Sequence, residues 1–151
     1  MRVAIIKRVE DWLATTEAAL RAAGHRAGGA RAALIEELAR GDCCRSAQEL
    51  HDALLARGRS VGIASVYRVL DTLVELRLVQ RVEVGDGISR FEPAIQSAHH
   101  HHVVCDDCGK VEPFTDVSLE RAISVLPAQL GYDIVAHEVV LRGECADCRA
   151  A

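Results

Sequence analysis

The chain has 151 residues, of which 50% are hydrophobic and only 3% aromatic, and its formal net charge is −4. That length suits one ordinary domain or two small ones with aliphatic cores. Residues 1–7 lack the apolar stretch of a secretory signal, and no apolar run approaches the roughly 20 residues of a membrane span, so we expect a cytoplasmic protein. In that reducing compartment, six cysteines favour metal binding or redox chemistry over disulfides.

The charge is distributed unevenly along the chain. Residues 1–92 carry 14 basic and 13 acidic side chains, whereas residues 93–151 carry 4 and 9. The segment Ala18–Ile35 has no acidic residue. Its basic side chains are Arg21, His25, Arg26 and Arg31. Because a local basic stripe matters more to phosphate contacts than the net charge, this segment is compatible with nucleic-acid binding.

Four helices are predicted in the first half of the chain. Glycines bound the first two, over residues 3–22 and 31–39. Ser46 and Glu49 have the spacing of a capping box, which starts a third helix. A fourth helix begins near Gly62. Its apolar stripe follows helical spacing at Val66, Val69, Leu70 and Leu73.

A β-hairpin is predicted directly after the fourth helix. Apolar and polar residues alternate over 79–84, a Gly-Asp-Gly turn follows, and a second strand returns over 88–92. Helices followed by such a hairpin favour a winged helix. We therefore expect a winged-helix DNA-binding domain over residues 1–92, with an extra N-terminal helical segment at 1–15, and then a linker at 93–98.

Residues 99–151 predict a second, small α/β domain. The pattern indicates strands over 99–105 and 110–114, a helix over 116–125 and a long strand over 132–142. Pro127 should end or kink that helix. The predicted fold class is therefore α+β, with the winged helix first.

Two cysteine pairs, Cys105-x2-Cys108 and Cys145-x2-Cys148, lie at predicted strand ends. Each Cys-x2-Cys turn presents two thiolates on one side, and two such turns complete the tetrahedral ligand set of a structural zinc ion. Two thioredoxin-type dithiols are the alternative, but these need a βαβ setting with the pair at a helix start. Neither pair has that setting.

A run of four histidines, His99 to His102, leads into the first cysteine pair. Alternate side chains on a strand point to opposite faces, so His99 and His101 should face one way and His100 and His102 the other. One run can then supply ligand pairs to two metal sites. A solvated polar segment is the alternative. His137 lies among apolar strand residues, where a histidine without partners would be a core residue.

Taken together, these features resemble the ferric uptake regulator (Fur) family, and within it a zinc uptake regulator-like member. The resemblance covers about residues 18–149 and rests on a combination of segments. These segments are Ser46–Leu50, Gly62–Leu70, the histidine run, Cys105–Lys110 and Cys145–Cys148.

The resemblance implies a non-enzymatic repressor that binds palindromic operator DNA as a homodimer when loaded with a divalent metal, with the α/β domain as the dimerisation domain. The helix near Gly62 becomes the recognition helix. Its DNA-facing residues would be Ser65, Tyr67 and Arg68, with Tyr67 near thymine methyls or sugars and Arg68 on phosphate or base edges. Backbone contacts would come from Arg21, Arg26 and Arg31. An ordinary solvated helix face is the alternative for the recognition residues.

Three metal sites are implied by the same resemblance. The structural zinc site falls on Cys105, Cys108, Cys145 and Cys148. An additional site falls on His99, His101, Glu120 and His137. The regulatory hinge site falls on Cys44, Glu92, His100 and His102. Cys44 departs from the family pattern, because iron-sensing members have a histidine at this position. The alternative to a ligand role is that Cys43 and Cys44 are small buried residues.

The ligand chemistry bears on which metal is sensed. A thiolate is softer than the histidine it replaces, and thiolate with imidazole favours zinc over iron(II) or manganese. We therefore expect Zn²⁺ as the structural ion and as the second, regulatory divalent metal, with Fe²⁺ the alternative for the latter. Iron(II), peroxide, manganese or nickel sensing are alternative functions. A zinc-ribbon interaction module is an alternative from another class, but it leaves the helix-and-hairpin half unexplained.

Overall fold

The structure, a computed structural model, describes residues 2–26, 28–95 and 99–150. It divides into two compact units, residues 1–98 and 99–151. The first unit contains α1 (Arg2–Ala22), α2 (Gly29–Arg40), β1 (Arg45–Ser46), α3 (Ala47–Ala56), α4 (Ile63–Glu75), β2 (Val79–Glu83) and β3 (Ser89–Pro93). The second contains β4 (His101–Cys105), β5 (Val111–Phe114), α5 (Val117–Ser124), α6 (Leu126–Leu130), β6 (Val140–Gly143) and α7 (Ala146–Arg149).

The first unit is a winged helix, as predicted. Its three-stranded antiparallel sheet has the order β1-β3-β2, so the hairpin is extended by the short strand before α3. The capping box at the start of α3 is present, with Glu49 N–H donating to Ser46 Oγ and Ser46 N–H donating to the Glu49 carboxylate. The core is aliphatic, and its fully buried side chains include Leu34, Leu50, Leu54, Leu70 and Leu73.

Helix α1 is an integral part of this unit. Trp12 is only 5% exposed and belongs to the same core cluster as the side chains of α2, α3 and α4. Its indole Nε1–H donates to the carbonyl oxygen of Leu78 at 2.7 Å, beside the start of β2. The segment at 1–15 that the sequence marks as an addition therefore contributes the largest aromatic side chain of the core.

The predicted linker at 93–98 needs a correction. Strand β3 extends to Pro93, Ala94 N–H donates to Leu78 O at 3.0 Å, and Ile95 packs against the core. Backbone pairing and apolar burial thus continue beyond Glu92, because the sequence Pro-Ala-Ile still has partners on the winged helix. Residues 96–98 of the predicted linker lie outside the described residues.

The second unit is a small α/β domain built on a sheet of order β5-β4-β6. Strand β5 is antiparallel to β4, and β6 is parallel to it. The helix predicted over 116–125 ends at Ser124, and a separate short helix, α6, accommodates Pro127 in its first turn. Proline is tolerated there because a first-turn N–H has no intrahelical acceptor.

The long strand predicted over 132–142 is wrong for most of its length. Only Val140–Gly143 is a regular strand, and Val135 is 93% exposed. The alternating apolar residues do not face a core within this unit. Large exposed apolar side chains of the second unit are Val117, Val125, Leu126, Leu130, Tyr132, Ile134, Val135 and Leu141. Among the described residues, no helix is both long and apolar enough to cross a membrane.

Candidate functional site

Four cysteine thiols converge at one edge of the second sheet. Cys105 ends β4, and its Cα partner in the parallel strand β6 is Gly143, two residues before Cys145. Because parallel strands end at the same edge, the two Cys-x2-Cys segments meet there. Gly109, at φ 73°, closes the first turn, and its N–H donates to Cys105 O at 2.9 Å.

The sulfur positions fit a tetrahedral ion. All four Sγ atoms lie within 4.8 Å of one another. Cys105 Sγ lies 3.8 Å from Cys148 Sγ, and Cys108 Sγ lies 3.9 Å from Cys145 Sγ. A tetrahedron with Zn–S bonds of about 2.3 Å has edges of about 3.8 Å, so the predicted set Cys105, Cys108, Cys145 and Cys148 has the dimensions of a closed zinc site.

The thiols of this cluster differ in acidity. Backbone N–H groups of Cys108 and Cys145 are hydrogen-bonded to Cys105 and lower the pKa of its thiol to about 6. Hydrogen bonds with the neighbouring thiols of Cys145, Cys108 and Cys105 raise the pKa of Cys148 to about 12. The first thiolate therefore forms on Cys105, and the positive charge of an ion is what favours deprotonation of the others.

A second cluster combines three histidines with one carboxylate. His101 is 1% exposed, and its Nε2 lies 2.6 Å from Glu120 Oε1 on the first turn of α5. His99 Nε2 lies 3.0 Å from His137 Nε2, and His137 Nε2 lies 3.3 Å from Glu120 Oε2. With metal–ligand bonds of about 2.0–2.1 Å, tetrahedral edges are about 3.3 Å, so His99, His101, Glu120 and His137 can hold a divalent ion.

The electrostatics of this histidine cluster favour the ionised carboxylate. The hydrogen bond from His101 lowers the pKa of Glu120 against the opposing effect of burial, and His137 and His99 lower it further. His137 therefore has polar partners, although the sequence places it among apolar residues. His99 precedes β4, yet its ring lies 4.8 Å from that of His101, as the predicted alternation requires.

A third group of ligand atoms lies in the winged helix, on the loop between α2 and β1 and on the hairpin. The sulfurs of Cys43 and Cys44 are 3.8 Å apart, and both lie within 4.8 Å of a carboxylate oxygen of Glu92 on β3. Cys44 is 5% exposed and Glu92 is 3% exposed. The hydrogen bond with Cys43, burial and the nearby Glu92 carboxylate raise the pKa of the Cys44 thiol above its ordinary range.

The remaining predicted ligands of the regulatory set belong to the second unit. His100 and His102 lie on the opposite side of the histidine run from His99 and His101, with their ring centroids 4.9 Å apart. His102 is buried on β4. Each unit therefore holds its own part of the predicted set, the Cys44 thiol with the Glu92 carboxylate in one and two imidazoles in the other.

The candidate nucleic-acid interface lies on α4. Its apolar stripe is buried, whereas Tyr67 is 50% exposed. Arg68 is also exposed, and its Nη2 donates to Ser65 Oγ at 3.0 Å. Ser65 thus orients the guanidinium on the solvent face of the helix. Gly62 caps this helix without a side chain, so backbone N–H groups of the first turn have no side-chain cap.

The basic stripe lies around a groove between α1 and α2. A cavity of about 340 Å³ is lined by Arg21, Arg26 and Arg31 together with Glu17 and Glu36. Arg31 Nη1 donates to the backbone carbonyl of Arg26 at 2.7 Å. The two glutamates, which flank the stripe in sequence, reduce its local charge in space.

The fold and these clusters define a class: two-domain proteins that couple a winged helix to a metal-ligating α/β domain. Comparisons with known proteins agree. The sequence model of the Ferric uptake regulator family matches residues 22–142. The Ferric uptake regulation protein of Shigella flexneri is 38% identical over 134 residues, 87% of this chain and 90% of that protein. The chain belongs to the ferric uptake regulator family.

Solved structures support the same assignment. The Vibrio cholerae ferric uptake regulator superposes with a TM-score of 0.75 at 35% identity, covering 84% of this chain and 97% of that one. The Pseudomonas aeruginosa ferric uptake regulator, solved with manganese, superposes with a TM-score of 0.68 at 31% identity, covering 86% and 97%. The likeness therefore spans both units.

Proposed function

We propose that the protein is a metal-dependent transcriptional repressor that binds palindromic operator DNA as a homodimer in the cytoplasm, and that the metal it senses is zinc. The observation that carries the proposal is the presence of two side chains able to ligate a metal ion, Cys44 and Glu92, in the same unit as the exposed face of α4. A zinc-ribbon interaction module would not need a winged-helix domain, so the presence of that domain argues against this alternative.

DNA binding is supported by the chemistry of α4. Tyr67 offers an aromatic ring to thymine methyl groups or sugars, and Arg68 offers a planar donor to phosphate or to guanine. Homodimer formation is supported by the exposed apolar side chains of the second unit, among them Val117 at 69% and Val135 at 93%. Large exposed apolar patches commonly mark protein–protein interfaces.

Metal dependence is proposed from the ligand chemistry. A bound divalent ion would supply one coordination centre for Cys44 and Glu92 of the winged helix and for His100 and His102 of the second unit. Ligands drawn from both units would restrict how the two recognition helices of a dimer are spaced, and DNA half-sites demand a defined spacing. This favours DNA binding only if the ion binds the DNA-competent arrangement more tightly than the others.

Zinc is proposed over iron(II) because Cys44 contributes sulfur. Soft thiolate ligands favour zinc, whereas carboxylate and water favour manganese and other hard ions. The Pseudomonas aeruginosa relative was solved with manganese, so iron(II), manganese, nickel or peroxide response remains the second candidate. The carboxylate of Glu92, which is a hard ligand, is the observation that favours this second candidate.

The test is fluorescence anisotropy with a palindromic duplex selected from a random library by the zinc-loaded protein. Zinc should tighten binding more than iron(II) or manganese, and added salt should weaken it. Cys44→Ser should lose the zinc response while light scattering still reports a dimer. Equal DNA affinity of the wild-type protein before and after removal of exchangeable metal by a chelator would refute metal dependence.

A further inference from the structure

Two adjacent thiols, Cys43 and Cys44, lie on the loop between α2 and β1, and only Cys44 aligns with a ligand of the proposed regulatory site. We propose that the two thiols act together as a bidentate clamp for a thiophilic divalent cation. Cys43 is then a second sulfur ligand and the residue that sets the selectivity of the site for soft over hard ions. The proposal rests on the regulatory site put forward above.

The spacing of the two sulfurs is that of a chelate. Their separation of 3.8 Å equals the edge of about 3.8 Å of a tetrahedral ion with sulfur bonds of about 2.3 Å. A disulfide would need about 2.05 Å. Cys105 and Cys148, in the four-cysteine cluster of the second unit, are also 3.8 Å apart. The same distance therefore recurs in a cluster that has the dimensions of a zinc site.

Glu92 completes a three-ligand set within the winged helix alone. A carboxylate oxygen of Glu92 lies within 4.8 Å of both sulfurs, and the residue is 3% exposed. Burying a carboxylate is costly unless it is paired or coordinates a cation. Gln80 Nε2 donates to this carboxylate and orients it. Two sulfurs and an oxygen thus face one point from the loop and the hairpin.

The loop that carries the sulfurs is held at both ends. Arg45, the residue after Cys44, donates to the Glu37 carboxylate at 2.9 Å and to the Glu37 backbone carbonyl. Glu37 itself is 2% exposed. At the other end, a Cβ on Gly41 would lie 3.1 Å from Arg45 Nη2, so the lack of a side chain at Gly41 gives the guanidinium room to pack closely there. A fixed loop lowers the entropic cost of closing both thiols on one ion.

The proposed binding step is a simple exchange of protons for a cation. Each thiol gives up one proton to solvent, two thiolates bind the ion, and neither sulfur changes its oxidation state. Two thiolates favour zinc and similar ions over manganese, because sulfur is a soft donor. Cys43 therefore adds to the selectivity that Cys44 alone would give.

The experiment titrates cobalt(II) and manganese(II) into full-length protein whose four-cysteine cluster has been filled with zinc. Cobalt binds less tightly than zinc, so it does not displace that ion. Sulfur-to-cobalt charge-transfer absorption then reports only thiolates outside the zinc-filled cluster. The variants are Cys43→Ser and Cys44→Ser, with Asp42→Ser as the control, because Asp42 is an exposed neighbour on the same loop.

Cys43→Ser should lose about half of the charge-transfer intensity and weaken cobalt binding by more than about tenfold, the lower range seen for outer-shell partners. Manganese binding should change little, and Asp42→Ser should match the wild type. Bound cobalt should also protect Cys43 from alkylation, a readout independent of any variant. Full charge-transfer intensity in Cys43→Ser, or unprotected alkylation, would overturn the clamp. If the wild-type protein shows the charge-transfer absorption but metal does not change its binding to operator DNA, the result would count against the proposed repressor while upholding the clamp.

Discussion

The tip of the hairpin contains an ion pair whose loss should measurably destabilise the winged helix. Asp86 accepts two hydrogen bonds from the Arg90 guanidinium, at 3.0 and 2.8 Å, and Arg90 is only 5% exposed. We predict that Asp86→Asn lowers the free energy of unfolding of this unit. Asparagine keeps the oxygen that accepts from Ile88 N–H at 3.0 Å, so the substitution removes the charge together with the hydrogen bond that Arg90 Nη2 donates to Oδ2.

The size of the effect follows from the pKa of Asp86. The hydrogen bonds from Arg90 lower this pKa from 3.8 to about 2, with further help from Ile88 N–H. That shift corresponds to an upper limit of about 2.4 kcal/mol. Because the Asp86 side chain is 21% exposed, solvent screening reduces the expected loss to roughly 1–2 kcal/mol.

The assay is urea unfolding followed by the fluorescence of Trp12. It is the only tryptophan of the chain, and it is buried in the same unit as the hairpin. Glu83→Gln is the matched control, because Glu83 accepts from Ser89 Oγ on the exposed side of the same hairpin. Its effect should stay within about 0.5 kcal/mol. Equal effects of the two substitutions would refute the reasoning.

The same ion pair predicts a pH dependence with a definite sign. The folded-state pKa of Asp86 is depressed, so its stabilisation is complete above pH 3.8 and is lost as the pH falls towards 2. The difference in unfolding free energy between wild type and Asp86→Asn should therefore shrink below pH 3.8. A difference that stays constant across that range would assign the effect to packing instead of charge.

Three further substitutions test the rest of the structure. Cys105→Ser should unfold the α/β unit, because metal binding and folding are coupled, while Trp12 keeps its native emission; circular dichroism, zinc content and fluorescence check this. Glu120→Gln should weaken zinc binding at the histidine cluster by roughly 10- to 100-fold, measured by competition with a chromophoric chelator; unchanged affinity would remove Glu120 from the ligand set. Glu37→Gln should cost roughly 1–3 kcal/mol in urea unfolding at neutral pH. Because Arg45 and two further arginines lower the pKa of Glu37 against the effect of burial, that cost should fade as the pH drops below 4.5.

The winged helix could be predicted from sequence because its patterns are local. The capping box of Ser46 and Glu49 starts α3 where expected, and the stripe at Val66, Val69, Leu70 and Leu73 is buried as the spacing indicates. Strand β1 was missed, because a strand of two residues is too short to show the alternation of apolar and polar residues that marks a strand. The role of Trp12 was also beyond reach, since its hydrogen bond to Leu78 spans 66 residues of sequence.

The candidate sites were predictable to different degrees. The four cysteines follow from the Cys-x2-Cys spacing itself. The grouping of His99 with His101 follows from strand alternation, whereas adding Glu120 and His137 required the family resemblance. The strand over 132–142 was wrong because its apolar alternation, which led us to expect a buried face, belongs to a surface exposed in this chain. Cys43 was missed as a ligand candidate, although its adjacency to Cys44 was the available signal.

The pairing of β4 has a consequence for insertions and deletions in the histidine run. Its register is fixed from the Cys105 end, where His102 pairs with Val140 and Cys105 with Gly143. Deleting one histidine would shift the rest by one place and still leave three of four positions occupied, since the residues are identical. Adding one non-histidine residue after His102 would move every histidine to the opposite face, yet three of the four positions would again hold a histidine. A change of one residue therefore removes one ligand position at one end of the run, that of His99 on deletion or that of His102 on insertion.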